Sequence, residues 1–313
     1  MTDVSIIIVN WNTRDILQGC LISIFKQTQG INFEVIVIDN ASADSSAEMV
    51  KIEFPQVTLF ENSENRGFAA ANNQGMRIAN GRYVLLLNPD TIILDGAIQK
   101  TVAFADKDPD IGVLGCQVWL NDHEIQKTCF AFPTLWGALV QATGLLRMFS
   151  HSRIFGRAYY GWWDRKSEMD VDVVSGMFML VRQEAIQEVG LMDEDYFVYA
   201  EETDWCFRFH KAGWRCVFSP IAKIIHLDGG SKSTALIKNK MFVQMQKSML
   251  IFHLKQQGRW AWIARKGLYI FSMFFRYIIY SMMSLLSHDD NISKKVNQSR
   301  AAINFHLLGI EPK

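Results

Sequence analysis

Three short runs of β-branched and aliphatic residues, Val4–Asn10 (VSIIIVN), Phe33–Asp39 (FEVIVID) and Tyr83–Leu87 (YVLLL), do most to limit what this chain can become. Apolar runs of this length without polar alternation suit strands buried on both faces of a parallel sheet. Between the first two lies a stretch with helical spacing at Ile16, Leu17, Cys20, Leu21 and Ile24, so the chain opens on a βαβ unit. A helix to about Phe54, a strand over 57–60 and a helix over roughly 69–79 continue the alternation. Gly81-Arg82 then breaks that helix ahead of the third run. The expected class is α/β, with buried parallel strands.

Polar side chains gather where these runs stop: Asn10, Asp39 and Asn88-Pro89-Asp90-Thr91. Open α/β sheets bind ligands beyond the carboxyl ends of their strands, which makes these positions site candidates. With 313 residues there is room for one large domain and an appendage. Basic and acidic residues balance at 32 each, so no overall field recruits nucleic acid, and the basic residues cluster near the C-terminus. Cys20, Cys116, Cys129, Cys206 and Cys216 show no CxxC spacing and read as buried free thiols of a reducing compartment. Met1-Thr2-Asp3-Val4 enters a strand without a basic and apolar leader, which points to a cytoplasmic protein.

From Cys129 to about Asp170 the pattern loses its period, and aromatic residues stand among glycines and cations, as in a mobile loop region over a site. A strand over 171–181, interrupted by Ser175-Gly176, and a short helix over 183–189 lead through an acidic run to Glu201-Glu202-Thr203-Asp204. Beyond about Thr234 the character changes to a helix over 236–258 and an aromatic, apolar stretch over 260–287. The boundary is therefore drawn between a domain at 1–235 and a helical region at 236–313.

Several side chains carry chemistry. Asp90, after a buried strand and beside a fixed proline, can present oxygen to a hard cation and a diphosphate, although the same four residues also make an ordinary capped turn. Asp39 can accept hydrogen bonds from a nucleobase or ribose, and Asn65-Arg66-Gly67 offers a glycine turn and a cation. Asp204 with Arg208 fits a helix start and an i,i+4 pair. Glu202 is not needed for that role, and crowded carboxylates raise one another's pKa towards values useful in a base.

Taken in order, VSIIIVNWN, VIVIDNASADSS, NRGFAAANNQGMRIANG, YVLLLNPDT and VSGMFMLVRQEAIQEVGLMDEDYFVYAEETDWCFRFHKAGW resemble the family-two inverting glycosyltransferases of the GT-A fold. The resemblance covers residues 1 to about 235 and is strongest to bacterial rhamnosyltransferase-type members. It implies a nucleotide-sugar site drawn from Asn10, Asp39, Asn65, Arg66, Gly67, Asn73, Asn88, Gly176 and Ser231, with Asp39 at the base. It implies Mg²⁺ or Mn²⁺ at Asp90 and His226, and Glu202 as catalytic base, with Glu201 the alternative. The sequence departs from the family's Asp-x-Asp at Asn88-Pro89-Asp90, which leaves Asp90 most of the acidic coordination. Related enzymes place a metal-binding histidine before a glycine-rich turn, as His226 stands before Leu227-Asp228-Gly229-Gly230-Ser231. They usually have Asp where this chain has Glu202. The implied donor is dTDP-rhamnose or a UDP-sugar, and the implied acceptor a glycan on a polyprenyl diphosphate.

On a helical wheel Arg265, Tyr269, Ser272, Arg276, Tyr280, Ser284 and Ser287 form one polar stripe, with Trp262, Phe271, Phe274, Phe275, Ile278, Met282 and Leu285 around the rest. Three readings stand: a helix lying in the interface of the cytoplasmic face of the plasma membrane, a span, or a homodimer contact. Two other classes compete with transfer. A sugar nucleotidyltransferase needs a glycine-rich loop after the first strand, and Asn10-Trp11-Asn12-Thr13-Arg14-Asp15 has no glycine. A catalytically silent, membrane-bound nucleotide-sugar-binding protein would bind donor and transfer nothing.

Overall fold

The computed structural model describes residues 1–120, 124–227, 238–286 and 289–311. They fall into two compact units. One takes in residues 1–132, 163–197 and 201–233; the other takes in 133–162, 198–200 and 234–313. The second thus includes Pro133–Trp162 and Val198–Ala200, segments that the sequence assigns to the first domain.

The first unit is built on a mixed sheet. Strands β1 (Val4–Asn10), β2 (Phe33–Asp39), β3 (Thr58–Glu61) and β4 (Tyr83–Leu87) run parallel in the order β3-β2-β1-β4. Between them the chain forms α1 (Arg14–Gln27), α2 (Ser46–Glu53) and α3 (Phe68–Ile78). Every apolar residue of β1 but the half-buried Val9 is enclosed, as a strand between two neighbours and two helical layers must be. Leu17, Cys20, Leu21 and Ile24 of α1 pack on one face with Ile6, Ile8, Val35, Val37 and Leu85. On the other face α3 comes close because residue 75 is glycine: a Cβ there would stand 2.7 Å from Cγ2 of Ile7.

After β4 the chain crosses the sheet. β5 (Thr91–Ile93) lies at its far edge, followed by α4 (Ala97–Ala105), β6 (Ile111–Trp119) and β7 (Cys129–Phe130). The expected strand over 171–181 divides at Ser175-Gly176-Met177. β9 (Val173–Val174) pairs with β7, and β10 (Phe178–Arg182) inserts antiparallel between β4 and β6. The short β8 (Met169–Asp170) pairs with β11 (Arg215–His226), which runs beside β6 and closes on β5. α7 (Gln183–Val189) and α8 (Glu201–Lys211) stand between β10 and β11. All five cysteines are buried and free, as their spacing suggests.

The second unit is helical: α5 (Leu135–Ala142), α6 (Leu145–Met148), α9 (Lys238–Phe252), a π-helical turn at His253–Gln257, α10 (Arg259–Leu286) and α11 (Asp290–Leu308). α5 and α6 fall where the sequence suggests only loop. Thr134 caps α5 by accepting from the Gly137 amide at 3.0 Å, but the helix buries only Ala138 and Val140, so no apolar period announces it. At about 1.5 Å per residue α10 is about 42 Å long, and it is apolar enough to cross a membrane. Its polar residues Arg265 and Ser272 are buried, whereas Phe271, at 60% exposure, and Phe275, at 55%, stand outside with Phe274, Ile278 and Met282. Inside are polar groups, among them Gln246, His253, Ser299 and His306, beside a small apolar cluster of Val243, Met273 and Ala302.

The balanced charge of the chain is divided between these units. The helical unit carries fifteen Lys and Arg against three acids, Asp289, Asp290 and Glu311; the sheet unit carries seventeen against twenty-nine. One is twelve charges positive and the other twelve negative.

Candidate active site

The carboxyl ends of β1 and β2 are tied together by side chains. The amide nitrogen of Asn10 donates to Asp39 Oδ1 at 2.8 Å and to Ser42 Oγ at 3.0 Å, while its oxygen accepts from Thr13 Oγ1 at 2.6 Å. The second oxygen of Asp39 accepts from the Ser42 amide at 2.9 Å. Both N–H donors of Asn10 are thus engaged and fix Asp39, whose oxygens each keep a further lone pair for an incoming donor.

Asn40, the next residue along, links this corner to the turn ahead of α3. Its amide donates to the Gly67 carbonyl at 3.1 Å and to Asn65 Oδ1 at 3.3 Å, and its oxygen accepts from Asn62 at 2.9 Å. Asn65 Oδ1 also accepts from the Gly67 amide at 2.9 Å, and the Arg66 side chain is left exposed. Gly67 has φ 83°, and a Cβ there would lie 2.3 Å from the Phe197 carbonyl, which accepts from the Phe68 amide at 2.6 Å. Only glycine fits this approach. Gly176 is buried beside the same turn, 3.2 Å from the Phe68 ring by its Cβ direction. Its neighbour Met177 accepts from the Asn88 amide at 3.1 Å.

Asn73 stands apart from this group. Its amide donates to the Met192 carbonyl and to Glu194, both at 2.9 Å, and its oxygen accepts from the Met192 amide at 3.0 Å. It clamps the acidic loop before α8. Asn62 carries no motif of its own, and Asn40 stands in the VIVIDNASADSS run without a role assigned to it; their place after β3 and β2 marks them.

Asp90 and His226 meet because β5 and β11 pair. The register sets His226 opposite Thr91, and the Leu227 amide donates to the Asp90 carbonyl at 2.8 Å. His226 Nε2 lies 3.2 Å from Asp90 Oδ1, with both side chains nearly enclosed. That oxygen is buried without a hydrogen-bond partner, and so is His226 Nδ1. Nε2 and Oδ1 lie at ion-pair distance without a hydrogen bond between them, an arrangement that a divalent cation could share. Among the described residues no group of three or more His, Cys, Asp or Glu side chains assembles, so further ligands would come from diphosphate and water. Ser231 lies outside the described residues.

Glu201 and Glu202 open α8 directly after two left-handed residues, Tyr199 at φ 69° and Ala200 at φ 67°. Such backbone is costly for residues with a Cβ, and it turns the chain sharply into the helix. Burial pushes both carboxyls above their ordinary pKa, and at Glu201 the neighbouring charge of Glu202 adds to it. Each has one enclosed oxygen, Oε2, without a partner. Asp204 has a bracing role: it accepts from Arg208 Nε at 2.9 Å, and Arg208 also donates to the carbonyls of Val189 and Leu191.

Two family profiles match the chain, Glycosyl transferase family 2 over residues 5–131 and Glycosyl transferase family group 2 over residues 83–291. N-acetylglucosaminyl-diphospho-decaprenol L-rhamnosyltransferase of Mycobacterium tuberculosis is 28% identical over 272 residues, 83% of this chain and 87% of the relative. The mannosyltransferase PcManGT from Pyrobaculum calidifontis, solved in complex with GDP-Man and Mn²⁺, aligns over 99% of this chain and 90% of its own, with TM-score 0.55 at 17% identity. GalNAc-T7 with UDP, GalNAc and Mn²⁺ aligns over 99% and 56%, with TM-score 0.56 at 16% identity. At such identities the two structures speak for the fold.

Proposed function

The chain belongs to the family 2 glycosyltransferases and has their GT-A fold, and on that premise we propose that it moves a sugar, with inversion, from a nucleotide diphosphate to a glycan carried on a lipid diphosphate. The observation that carries this reading is the enclosed Asp90–His226 pair at the strand ends, where Asp90 Oδ1 and His226 Nδ1 have no hydrogen-bond partner. Asp90 and His226 would hold a divalent cation there, which would supply positive charge against the leaving diphosphate. Asp39 receives the nucleoside, with Asn10 and Ser42 orienting its carboxylate. Backbone at Arg66-Gly67 and the exposed Arg66 face the donor.

Glu202 takes the proton from the acceptor hydroxyl. The new O–C1 bond forms as the bond from C1 to the diphosphate oxygen breaks, and the electron pair leaves with the nucleotide diphosphate. Attack opposite the leaving group inverts C1. Protonated Glu201 beside it keeps a second negative charge away from the base. The Mycobacterium tuberculosis relative is named for L-rhamnose and N-acetylglucosaminyl-diphospho-decaprenol, which supports dTDP-rhamnose as donor and a lipid diphosphate acceptor.

Membrane attachment is part of the same reading. A helix that turns its apolar side outward needs an apolar neighbour. Arg276 is exposed near its middle, over the ring of Tyr280, and a charge facing lipid at the bilayer centre costs several kcal/mol, about 2.5 or more. This favours α10 lying in the interface of an anionic leaflet over a span. Calorimetry with Mn²⁺ against dTDP-rhamnose, UDP-sugars and GDP-mannose tests the donor. Binding of none of them, or affinity unchanged in Asp90→Ala, overturns the site; binding without transfer to any lipid-linked acceptor leaves a silent binding protein.

A further inference from the structure

α10 buries a charge that no ion pair among the described residues balances. Arg265 is 7% exposed, and among the described residues no ion pair includes it. Its Nη2 donates to the Tyr269 hydroxyl at 2.7 Å, its guanidinium stands 4.3 Å from the centre of the same ring, and the enclosed Nε–H has no acceptor. Guanidinium does not give up its proton in proteins, so this cation cannot escape burial by neutralising. Burial holds the Tyr269 phenol above its ordinary pKa, so the tyrosine is a neutral hydroxyl with its own proton to donate. The flanking imidazoles add no negative charge either. His306 stacks on Tyr269 at 5.2 Å, His253 is near enough to Arg265 to feel it, and burial pushes both down to about 4. The acids of this unit are occupied or remote: Asp289 caps α11, Glu311 pairs with Lys247 at 2.8 Å, and Asp290 is exposed in the first turn of α11.

An unpaired buried cation is costly, and a fold that retains one with an unanswered Nε–H beside a hydroxyl can be balanced by an anion from outside. Phosphate oxygens, which accept several donors at once, suit a guanidinium Nε–H and a phenol O–H side by side. The hydrocarbon that such an anion would bring has an apolar surface on the outer side of the same helix, the exposed row of Phe271, Phe274 and Phe275, reached round the helix from the covered Arg265. We propose that Arg265 and Tyr269 form a binding site for the diphosphate of a prenyl lipid, with its chain along the exposed apolar side of α10. This deepens the function proposed above, since it rests on a lipid diphosphate as the acceptor's carrier and gives that carrier a place.

Farnesyl diphosphate is the probe, titrated calorimetrically into the full chain in detergent, with inorganic pyrophosphate and phosphatidylglycerol vesicles as separate arms. The wild type is expected to bind farnesyl diphosphate at least about tenfold more tightly than pyrophosphate, and Arg265→Gln to lose about tenfold or more of that affinity. Arg265→Lys should recover part of it, and vesicle binding should be the same in all three. Because Arg265→Gln removes an unbalanced charge, its Tm without lipid should equal or exceed that of the wild type; a structural role would lower it. Equal affinity for pyrophosphate and farnesyl diphosphate, or Arg265→Gln and Arg265→Lys both binding as the wild type does, overturns the proposal. Nucleotide-sugar binding with Mn²⁺ is measured on the same samples. If the donor binds and is transferred while the Arg265 variants leave farnesyl diphosphate affinity unchanged, this site alone is wrong; if the wild type binds no donor, the functional reading has failed.

Discussion

A glutamate pair enclosed at the first turn of α8 is held above the ordinary carboxylate pKa by burial, and the mechanism proposed above makes Glu202 the ionised member. Glu202→Gln should therefore lower kcat by about 10²- to 10⁴-fold with donor Kd unchanged, while Glu201→Gln, which mimics the protonated acid, stays active. Each acid holds its proton to a higher pH in the fold than in the unfolded chain. Folding then binds protons, and stability falls as pH rises from the ordinary carboxylate range towards the raised values. Tm measured between pH 4.5 and 8 should show this decline, and Glu201→Gln should flatten it. Asp204→Ala strands Arg208 and should cost roughly 3 kcal/mol of stability, read by denaturant melting. Some of these roles were legible in the residues themselves: Asp204 with Arg208 follows from i,i+4 spacing alone. Asn73 was not, because its partners Met192 and Glu194 lie 119 and 121 residues along the chain, and no local pattern encodes so distant a clamp.

Among the elements, β1, β2 and β4 could be read to the residue, since each has an unbroken apolar run, Ile6–Val9, Val35–Ile38 and Tyr83–Leu87, to mark its course. β5 and β10 are harder. A three-residue strand has no period, and the antiparallel insertion of β10 depends on pairing with β4 and β6 rather than on its own composition. Yet β5 is what brings Asp90 to His226, so the metal candidates were individually visible while the reason they meet was not. In α10 the wheel separates two faces and cannot say which is covered; the buried Arg265 and Ser272 settle that the aromatic side is outside. Phe271→Glu with Phe275→Glu should abolish vesicle flotation of the full chain and leave Tm within about 1 °C, since both side chains are exposed and surface changes cost little. Flotation undiminished in this double variant would remove α10 as the membrane contact.

On the scale of the whole molecule, a helical unit twelve charges positive should bind anionic vesicles far better than zwitterionic ones, and binding should weaken as salt rises from about 0.05 to 0.5 M, where screening shortens from over 10 Å to a few ångströms. Binding indifferent to salt and lipid charge would reduce the attachment to apolar contact alone. A sequence pI near 7.0 hides this polarity completely. On the bench it means that the protein will be held by cation- and anion-exchange resins alike at neutral pH, each gripping a different unit. In dilute buffer the positive unit of one molecule will seek the negative unit of the next, so the chain will precipitate when desalted and redissolve when salt returns.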